Sequence, residues 1–236
     1  MSLRVSIVIT NYNYARYLRQ AIDSALAQSH PLTEVVVVDD GSADRTPDML
    51  REAAARDDTF VPLLRGGANE GKGAALRAGA GVARGDLILF VDVDMSTPLG
   101  ELEKLRARLD AGADVAIGSR DVTGSVLVHA PVHRKYIGRT FNLLVRRLTG
   151  LPFKDTQCGF KLMRTDVARG LLADQSVGGF AFDVELLMRA RALGLRVDEV
   201  PVTYIHDDDS RVNPLTAAPR MALDIARLAW RWRRGR

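Results

Sequence analysis

Short apolar runs alternate with amphipathic stretches through the first half of the chain, and this alternation predicts the fold. Residues 5–10 and 34–40 are apolar runs of strand length, and the second contains four consecutive valines. A helical pattern follows each run; after the first, Leu18, Ile22 and Ala25 share one face. Repeated strand, loop and helix are typical of a mostly parallel sheet whose loops meet at one edge. We therefore predict an α/β fold of the doubly wound type.

The same periodicities predict the remaining elements, although the second half of the chain is less regular. Residues 121–134 have no period and predict a mobile loop. Residues 134–148 form a basic helical pattern with an apolar face made of Ile137, Phe141, Leu144 and Leu148. The other predicted strands are 63–65, 87–91, 114–119, 160–163 and 196–205, and the other predicted helices are 47–55, 99–109, 183–193 and one opened by the glycine-rich loop at 69–73.

The buried strand predicted at residues 87–91 ends in two carboxylates, Asp92 and Asp94. Alternate residues of an extended segment point to opposite sides, so these two acids share one side. Ligands of open α/β sheets bind at the carboxyl ends of strands, and paired oxygen ligands suit Mg²⁺ or Mn²⁺. A lone Asp-x-Asp also ends ordinary strands by chance, so the interpretation as a metal site depends on the neighbouring segments.

Composition and charge exclude several classes of function. The 236 residues are 47% hydrophobic and 26% charged, which is ordinary for a globular protein. The net charge of +4 is concentrated in residues 220–236, which hold a single acid, Asp224. No zinc-ligand set, helix-turn-helix or aromatic RNA-binding signature accompanies these arginines, so we expect no nucleic-acid partner. Cys158 is the only cysteine, which excludes an intrachain disulfide and favours a reducing cytoplasmic setting.

The sequence predicts peripheral membrane contact at most. The N-terminus lacks the pattern of a signal peptide, and no stretch of about eighteen apolar residues is available to span a bilayer. The tail predicts an amphipathic helix with arginines opposite an apolar face made of Met221, Ile225, Leu228 and Trp232. That face either rests in an anionic membrane interface or packs on the core, and the pattern leaves both open.

Three groups of motifs carry a family resemblance. They are Ile7-Val-Ile-Thr-Asn-Tyr-Asn-Tyr14 with Val38-Asp-Asp-Gly-Ser42, then Phe90-Val-Asp-Val-Asp-Met-Ser96, then Lys154-Asp-Thr-Gln-Cys-Gly-Phe-Lys-Leu162 with Phe180-Ala-Phe-Asp-Val-Glu-Leu186. Together they resemble the family 2 glycosyltransferases of the GT-A fold, in the branch of dolichyl-phosphate glucosyltransferases and polyprenyl-phosphate mannose synthases. The resemblance implies a mixed, mostly parallel sheet flanked by helices. It also divides the chain into a catalytic domain at 1–213 and a basic amphipathic tail helix at 214–236.

The resemblance also implies a role for each matching side chain. The donor, a nucleotide sugar, would be bound by Thr10, Asn11, Asp39, Asp40, Gly71, Lys72 and Asp92. Asp92 and Asp94 would hold Mg²⁺ or Mn²⁺, with Asp94 the surer ligand and His206 the candidate for a third. Arg120 and Arg134 match positions near the acceptor phosphate. The acceptor and sugar site would be lined by Gln157, Cys158, Gly159, Lys161 and Glu185.

The chemistry of the acceptor decides whether a base is needed. Departure of a nucleoside diphosphate develops negative charge, which a divalent cation stabilises. A lipid phosphate is already anionic, so arginines that position it suffice. A hydroxyl acceptor needs a base, for which Asp183 or Glu185 is the candidate, although Asp183 fits an N-cap equally well.

We therefore expect an inverting, metal-dependent transferase that moves a hexose, glucose from UDP-glucose, to a polyprenyl or dolichyl phosphate. Its expected location is the cytoplasm, at the inner face of the membrane and in contact with it through the tail helix. Two alternatives within the same fold are a hydroxyl acceptor and a GDP-mannose donor. A sugar-nucleotide-binding protein without turnover is the alternative from another class. The sequence does not indicate an oligomeric state.

Overall fold

The computed structural model describes residues 3–28, 32–129, 131–206 and 214–234, with backbone alone at 32–33, 132–135 and 214–220. The strands are β1 Val5–Asn11, β2 Leu32–Asp39, β3 Phe60–Leu64, β4 Leu87–Asp92, β5 Val115–Ser119, β6 Val126–Val128, β7 Lys161–Arg164, β8 Val197–Pro201 and β9 Thr203–Ile205. The helices are α1 Ala15–Leu26, α2 Thr46–Ala54, α3 Lys72–Val82, α4 Leu102–Asp110, α5 Val132–Thr149, α6 Thr165–Ala173, α7 Phe182–Ala192 and α8 Pro214–Arg234. A 3-10 turn, Leu99–Glu101, precedes α4.

A seven-stranded sheet of order β3-β2-β1-β4-β7-β5-β8 forms the centre of the protein. Its strands pair in parallel except β7, which runs antiparallel between β4 and β5 and places Lys161 opposite Phe90. The predicted mixed, mostly parallel sheet is therefore confirmed. Its apolar strands are buried on both faces because helices cover both sides.

Consecutive residues of the central strands supply two separate cores, one on each face of the sheet. Val8 and Phe90 belong to the cluster that includes Phe182 of α7. Ile7 and Leu89 belong to the opposite cluster, which packs against α1, α2 and α4. This alternation fixes the register of β1 and β4, since a shift of one residue would exchange the two sets of side chains. The rigid centre thereby fixes the positions of the strand ends.

The second half departs from the predicted elements in three places. Residues 121–134, predicted as a loop, contain β6, which pairs in parallel with β9 in a separate two-stranded sheet. The strand predicted at 196–205 is divided into β8 and β9 after Pro201, which has no N–H for a ladder hydrogen bond. Helix α6, which buries Ala168, Leu171 and Leu172, was not predicted. These elements join residues distant in sequence, and local periodicity is a weak guide to such pairing.

The tail helix α8 packs its predicted apolar face on the core. Ile225 and Leu228 are buried in the cluster that contains Phe182, and Met221 and Trp232 pack against it. This decides between the two alternatives for that face, because side chains that contact α5 and α7 are not available to a membrane. Among the described helices, none combines the length and apolarity needed to cross a bilayer.

Glu34, buried in β2, makes the stability of the fold depend on pH. Its carboxylate accepts hydrogen bonds from Ser6 Oγ at 2.7 Å and from Arg84 Nε at 2.6 Å. Burial raises the pKa of Glu34, but these donors lower it by more, so the pKa lies below its ordinary value of 4.5. A lowered pKa stabilises the folded state above the ordinary value, and this stabilisation is lost as the pH falls through the folded value.

We therefore expect Glu34→Gln to lose less stability in acid than the wild type does. The free energy of unfolding of the wild type should fall more steeply between about pH 5 and about pH 3, because only the wild type must protonate this carboxylate. Urea denaturation at several pH values measures the two slopes. Parallel slopes would show that Glu34 is not the group responsible.

Candidate active site

The carboxyl ends of β1, β2 and β4 lie side by side at one edge of the sheet. Thr10 pairs with Asp92 of β4 on one side and with Val38 of β2 on the other. Asn11 pairs with Asp39. The structure therefore brings together the polar residues that the sequence places after three separate strands, as parallel pairing requires.

Asn11 and Asp39 hold the loop between β2 and α2. Asn11 Nδ2 donates to Thr46 Oγ1 at 3.0 Å, and Asp39 accepts hydrogen bonds from the hydroxyl and the N–H of Ser42. Both side chains are buried. Within the described residues, Asn11 Oδ1 has no hydrogen-bond partner, so it remains an unused acceptor at this edge. These two residues thus fix the loop between β2 and α2, whatever contact they make with a ligand.

Asp40 fixes the glycine-rich loop at the start of α3. Its Oδ2 accepts the Gly71 N–H at 2.7 Å, and its Oδ1 lies 2.5 Å from Arg65 Nη1. Gly71 has a φ of 99°, and a Cβ there would meet the Gly178 carbonyl oxygen at 2.5 Å, so only glycine fits without strain. The loop is therefore set by backbone geometry, and it places Lys72 at the first position of α3.

Lys72 forms an ion pair with the first acid of the Asp-x-Asp motif. Its Nζ lies 2.6 Å from Asp92 Oδ1 and 5.7 Å from the centre of the Phe182 ring. Burial lowers the pKa of Lys72, but the charges of Asp92 and Asp183 raise it by more, so the amine stays protonated. Burial raises the pKa of Asp92, but Lys72 lowers it by more, so this carboxylate stays ionised.

Asp94 lies in a strained turn directly after β4. Met95 has a φ of 50°, a backbone conformation that residues other than glycine rarely adopt. Its N–H donates to the Asp92 carbonyl at 3.0 Å. The Ser96 N–H donates to Asp94 Oδ1 at 3.0 Å. Burial and then the charge of Asp92 raise the pKa of Asp94. Two like charges are thus held close together, which favours a cation between them.

A small cavity opens in front of the Asp-x-Asp turn. It encloses about 50 Å³, which is room for an ion with a few waters and too little for a whole sugar nucleotide. Gly159 forms part of the wall, and a Cβ there would collide with the Asp92 carboxylate. The lining residues are Val91, Asp92, Asp94, Ser96, Thr97, Arg120, Gln157, Gly159, Phe160 and Tyr204. Five predicted site residues therefore meet in one cavity.

Arg120, which directly follows β5, also lines the cavity. Its Nε lies 2.6 Å from Asp155 Oδ2 and its Nη2 lies 2.9 Å from Asp155 Oδ1. The centre of its guanidinium is 5.1 Å from the centre of the Tyr204 ring. Burial raises the pKa of Asp155, but Arg120 lowers it by more, so the pair is ionised. A cation is thereby fixed beside the two carboxylates of the cavity.

Lys161, Asp183 and Glu185 are buried behind the cavity and do not line it. Lys161 Nζ lies 2.5 Å from Asp183 Oδ1 and from the Cys158 carbonyl oxygen. Burial raises the pKa of Asp183 despite this partner. Glu185 accepts the N–H groups of Ser176 at 2.9 Å and Val177 at 2.8 Å. These contacts support the walls of the site. They occupy the Lys161 amine and the Glu185 carboxylate, which were predicted to meet the sugar or the acceptor.

Gln157 and Cys158 occupy different surroundings although they are neighbours in sequence. Gln157 lines the cavity, and its Nε2 lies 3.0 Å from Met221 Sδ of α8. Cys158 is buried, and burial raises the pKa of its thiol, so it stays protonated. Gln157 is therefore the member of this pair that faces the cavity.

The third metal ligand and the second arginine stay predictions. Among the described residues, no group of three or more His, Cys, Asp or Glu side chains is close enough to hold a metal. His206 is therefore not assembled with Asp92 and Asp94; its backbone N–H donates to the Val128 carbonyl at 2.9 Å. Arg134 lies in the first turn of α5, and its side chain is outside the described residues.

Sequence reasoning missed two side chains that shape the site, Asp155 and Tyr204. Asp155 lies in the motif that carries the resemblance, but polar residues surround it there, so no local pattern marks it as the partner of a buried arginine. Tyr204 was predicted only as part of a strand. Its position beside Arg120 depends on the separate pairing of β9 with β6, which no local pattern shows.

The chain is similar in sequence to a known protein family and to several of its members. Residues 6–172 match the model of "Glycosyl transferase family 2". The chain is 32% identical to a dolichyl-phosphate beta-glucosyltransferase of Trichomonas vaginalis, over 98% of this chain and 72% of that protein. It is 34% identical to a polyprenol monophosphomannose synthase of Mycolicibacterium smegmatis, over 85% of this chain and 77% of that protein.

The fold is also shared with solved structures. Glucosyl-3-phosphoglycerate synthase from Mycobacterium tuberculosis, in complex with Mn²⁺, UDP-glucose and glycerol 3-phosphate, superposes with a TM-score of 0.70 at 18% identity. The match covers 96% of this chain and 80% of that one. At this identity the likeness establishes the fold alone. With the family model spanning most of the sheet and the relatives spanning nearly the whole chain, the protein belongs to glycosyl transferase family 2 and is a hexosyltransferase.

Proposed function

We propose that this protein is an inverting, metal-dependent glycosyltransferase that moves glucose from UDP-glucose to a polyprenyl phosphate. The observation that carries the proposal is the cavity that Asp92, Asp94 and Arg120 line together. Paired carboxylates suit the metal-diphosphate end of a donor, and a fixed guanidinium suits an anionic acceptor. The names of the two relatives, a dolichyl-phosphate glucosyltransferase and a polyprenol mannose synthase, support a lipid-phosphate acceptor.

The residues present fit a divalent cation. Asp92 and Asp94 are adjacent carboxylates, and the charge of Asp92 contributes to raising the pKa of Asp94. A cation relieves that repulsion, and the cavity has space for it. When bound, Mg²⁺ or Mn²⁺ supplies charge stabilisation for the departing diphosphate. Asp94 and Asp92 would be its protein ligands.

The chain's own residues complete the donor site. Lys72 stays protonated at the N-terminus of α3, next to Asp92, where its charge and the helix dipole both favour the diphosphate. Thr10, Asn11 and the loop held by Asp40 form the side on which the nucleoside would lie. In this arrangement the anomeric carbon of the sugar points toward Arg120. Attack on the face opposite the leaving group then inverts the configuration at that carbon.

The state of Asp183 favours a phosphate acceptor over a hydroxyl acceptor. A hydroxyl nucleophile needs a base that can reach it. Asp183 is buried and ion-paired with Lys161, and it does not line the cavity. A phosphate nucleophile needs only to be held, and Arg120 is placed to do so. The proposal therefore assigns Asp183 to the support of the site.

A matrix of donors and acceptors tests the proposal. Purified protein with Mn²⁺ is incubated with UDP-glucose or GDP-mannose, and with a short polyprenyl phosphate or a panel of hydroxyl acceptors. We expect product from UDP-glucose and the polyprenyl phosphate, with the inverted anomer by NMR. Product from GDP-mannose alone would reassign the donor. Transfer to hydroxyl acceptors alone would overturn the assignment of the acceptor.

We also propose that the outward face of α5 contributes to membrane contact. This face exposes Tyr136 (66%), Ile137 (44%), Leu143 (50%) and Leu144 (42%), although surface helices normally expose polar residues. Arg139, Arg146 and Arg147 are exposed on the same helix, together with Thr140. Apolar side chains accompanied by cations on one helix match an anionic bilayer surface. Because the predicted apolar face of α8 packs on the core, α5 is the better candidate for the contact.

We expect charged substitutions on α5 to weaken binding to anionic vesicles. Leu143→Asp with Leu144→Asp should reduce sedimentation with phosphatidylglycerol vesicles about tenfold or more, because each leucine contributes roughly 1 to 2 kcal/mol when buried in lipid. Leu193→Asp is the control, since Leu193 is an even more exposed leucine (67%) at the end of α7. Transfer to a water-soluble short-chain acceptor should be unchanged in both variants. Equal sedimentation of all three proteins would exclude α5 from the contact.

A further inference from the structure

The Asp155 carboxylate occupies one complete edge of the Arg120 guanidinium. It accepts from Nε at 2.6 Å, from Nη2 at 2.9 Å and from the backbone N–H of the same arginine at 3.1 Å. The Asp155 side chain is fully buried. Its backbone is fixed in turn by Glu199, whose Oε1 accepts the Asp155 N–H at 2.7 Å and the Ser119 hydroxyl at 2.7 Å. The arginine is thus held from a rigid base.

Tyr204 covers one face of the same guanidinium. The centre of its ring lies 5.1 Å from the guanidinium carbon, within the range of a cation–π contact. The next residue, Ile205, donates its N–H to the Ser96 carbonyl at 2.7 Å, which ties β9 to the turn that carries Asp94. Tyr204 therefore connects the position of Arg120 to the position of the Asp-x-Asp turn.

These contacts leave one edge of Arg120 for a ligand. A guanidinium has five N–H groups in one plane. Asp155 uses the edge formed by Nε and Nη2, so the remaining edge consists of Nη1 and the second hydrogen of Nη2. That edge matches two oxygens of a phosphate. A lysine could not serve Asp155 and a ligand with the same geometry, because its ammonium is a single point of charge.

We propose that Asp155 and Tyr204 are positioning residues, which hold Arg120 so that its Nη1–Nη2 edge receives two oxygens of the anionic acceptor. This inference rests on the proposed function, in which Arg120 binds the acceptor phosphate. Asp155 and Tyr204 do not themselves touch the acceptor in this arrangement. Their effect on transfer passes through Arg120.

Two substitutions of Tyr204 distinguish the contribution of its ring from that of its hydroxyl. Tyr204→Leu removes the ring, and we expect KM for the polyprenyl phosphate to rise about three- to tenfold, with KM for the nucleotide sugar unchanged. Tyr204→Phe keeps the ring and should behave as the wild type does. An equal rise for both variants, or an equal rise in the two KM values, overturns the role of the ring.

A double-mutant cycle tests whether Asp155 acts through Arg120. Asp155→Asn should lower kcat/KM for the acceptor at least tenfold in the wild type and add little in Arg120→Ala, because the group that it positions is already absent. Added guanidinium ion should restore part of the activity of Arg120→Ala, and only while Asp155 is present. Equal losses in both backgrounds, or rescue without Asp155, overturn the proposal. Thermal midpoints show whether each variant is folded.

A second measurement needs no acceptor. It therefore distinguishes failure of the proposed function from failure of the positioning role. If the wild type transfers no sugar to polyprenyl phosphate, the proposed acceptor is wrong. The hold on Arg120 is then measured by the rate at which phenylglyoxal modifies it, followed by mass spectrometry. Modification should be faster in Tyr204→Leu than in the wild type and in Tyr204→Phe. Equal rates in the three proteins overturn the positioning role.

Discussion

Asp94→Asn is expected to lower kcat/KM for sugar transfer about 10²- to 10³-fold without unfolding the protein. The substitution keeps the shape of the side chain and the acceptor oxygen for the Ser96 N–H, but it removes one of two charges that would hold the cation. Loss of a group that stabilises charge developing in the transition state typically costs about this factor. Transfer assays over a range of Mn²⁺ concentrations measure the loss.

The stability of the same variant separates a catalytic from a structural cause. Burial and the neighbouring Asp92 raise the pKa of Asp94, so ionised Asp94 destabilises the metal-free fold as the pH rises through that pKa. Asparagine removes this repulsion, and the thermal midpoint of metal-free Asp94→Asn should equal or exceed that of the wild type at neutral pH. Mn²⁺ with donor should raise the midpoint of the wild type only, by mass action.

A control carboxylate is available on the surface. Asp110, the last residue of α4, is exposed and lies 4.0 Å from Arg106, far in sequence from the strand ends. Asp110→Asn should keep wild-type transfer, since exposed ion pairs contribute little. If Asp94→Asn retained a third or more of the wild-type rate at saturating Mn²⁺, the assignment of Asp94 as a metal ligand would be wrong.

The sequence predicted the residues that meet at the ends of β1, β2 and β4 more completely than the surroundings of Arg120. Asp39 and Asp92 follow apolar runs, and parallel strands place all such ends at one edge, so a local pattern sufficed to bring them together. Arg120 and Asp155 are separated by 35 residues, and their pairing depends on the insertion of β7 between β4 and β5. Periodicity carries no information about such a pairing.

Lys161 shows a second reason why the prediction was incomplete. It stands in the motif that implies an acceptor and sugar site, yet its amine is buried against Asp183 and the Cys158 carbonyl. A motif records which residues occur together, but does not distinguish a side chain that touches a ligand from one that supports the wall. Gly159, two residues earlier, lies against the Asp92 carboxylate and forms part of the cavity.

Gly159→Ala is expected to lower the rate of transfer about 10²-fold by moving the Asp92 carboxylate. A Cβ at this position falls on the carboxylate itself, which must then turn away from Lys72. Displacement of a catalytic group by about 1 Å is enough for a loss of this size. Steady-state assays with saturating donor and acceptor measure the rate, and the thermal midpoint reports whether the fold is retained.

Two comparisons make the result specific to Asp92. Gly170→Ala, in α6, places its Cβ in open space and should raise the free energy of unfolding by about 0.4 to 1 kcal/mol with unchanged transfer, because alanine restricts the unfolded chain. In an Asp92→Asn background, Gly159→Ala should add little further loss, since both substitutions act on the same carboxylate. If instead the two losses multiply, the alanine acts on a different part of the site. Wild-type activity in Gly159→Ala would mean that Asp92 can move without consequence, and Lys72 and Asp94 alone would then have to account for binding of the diphosphate.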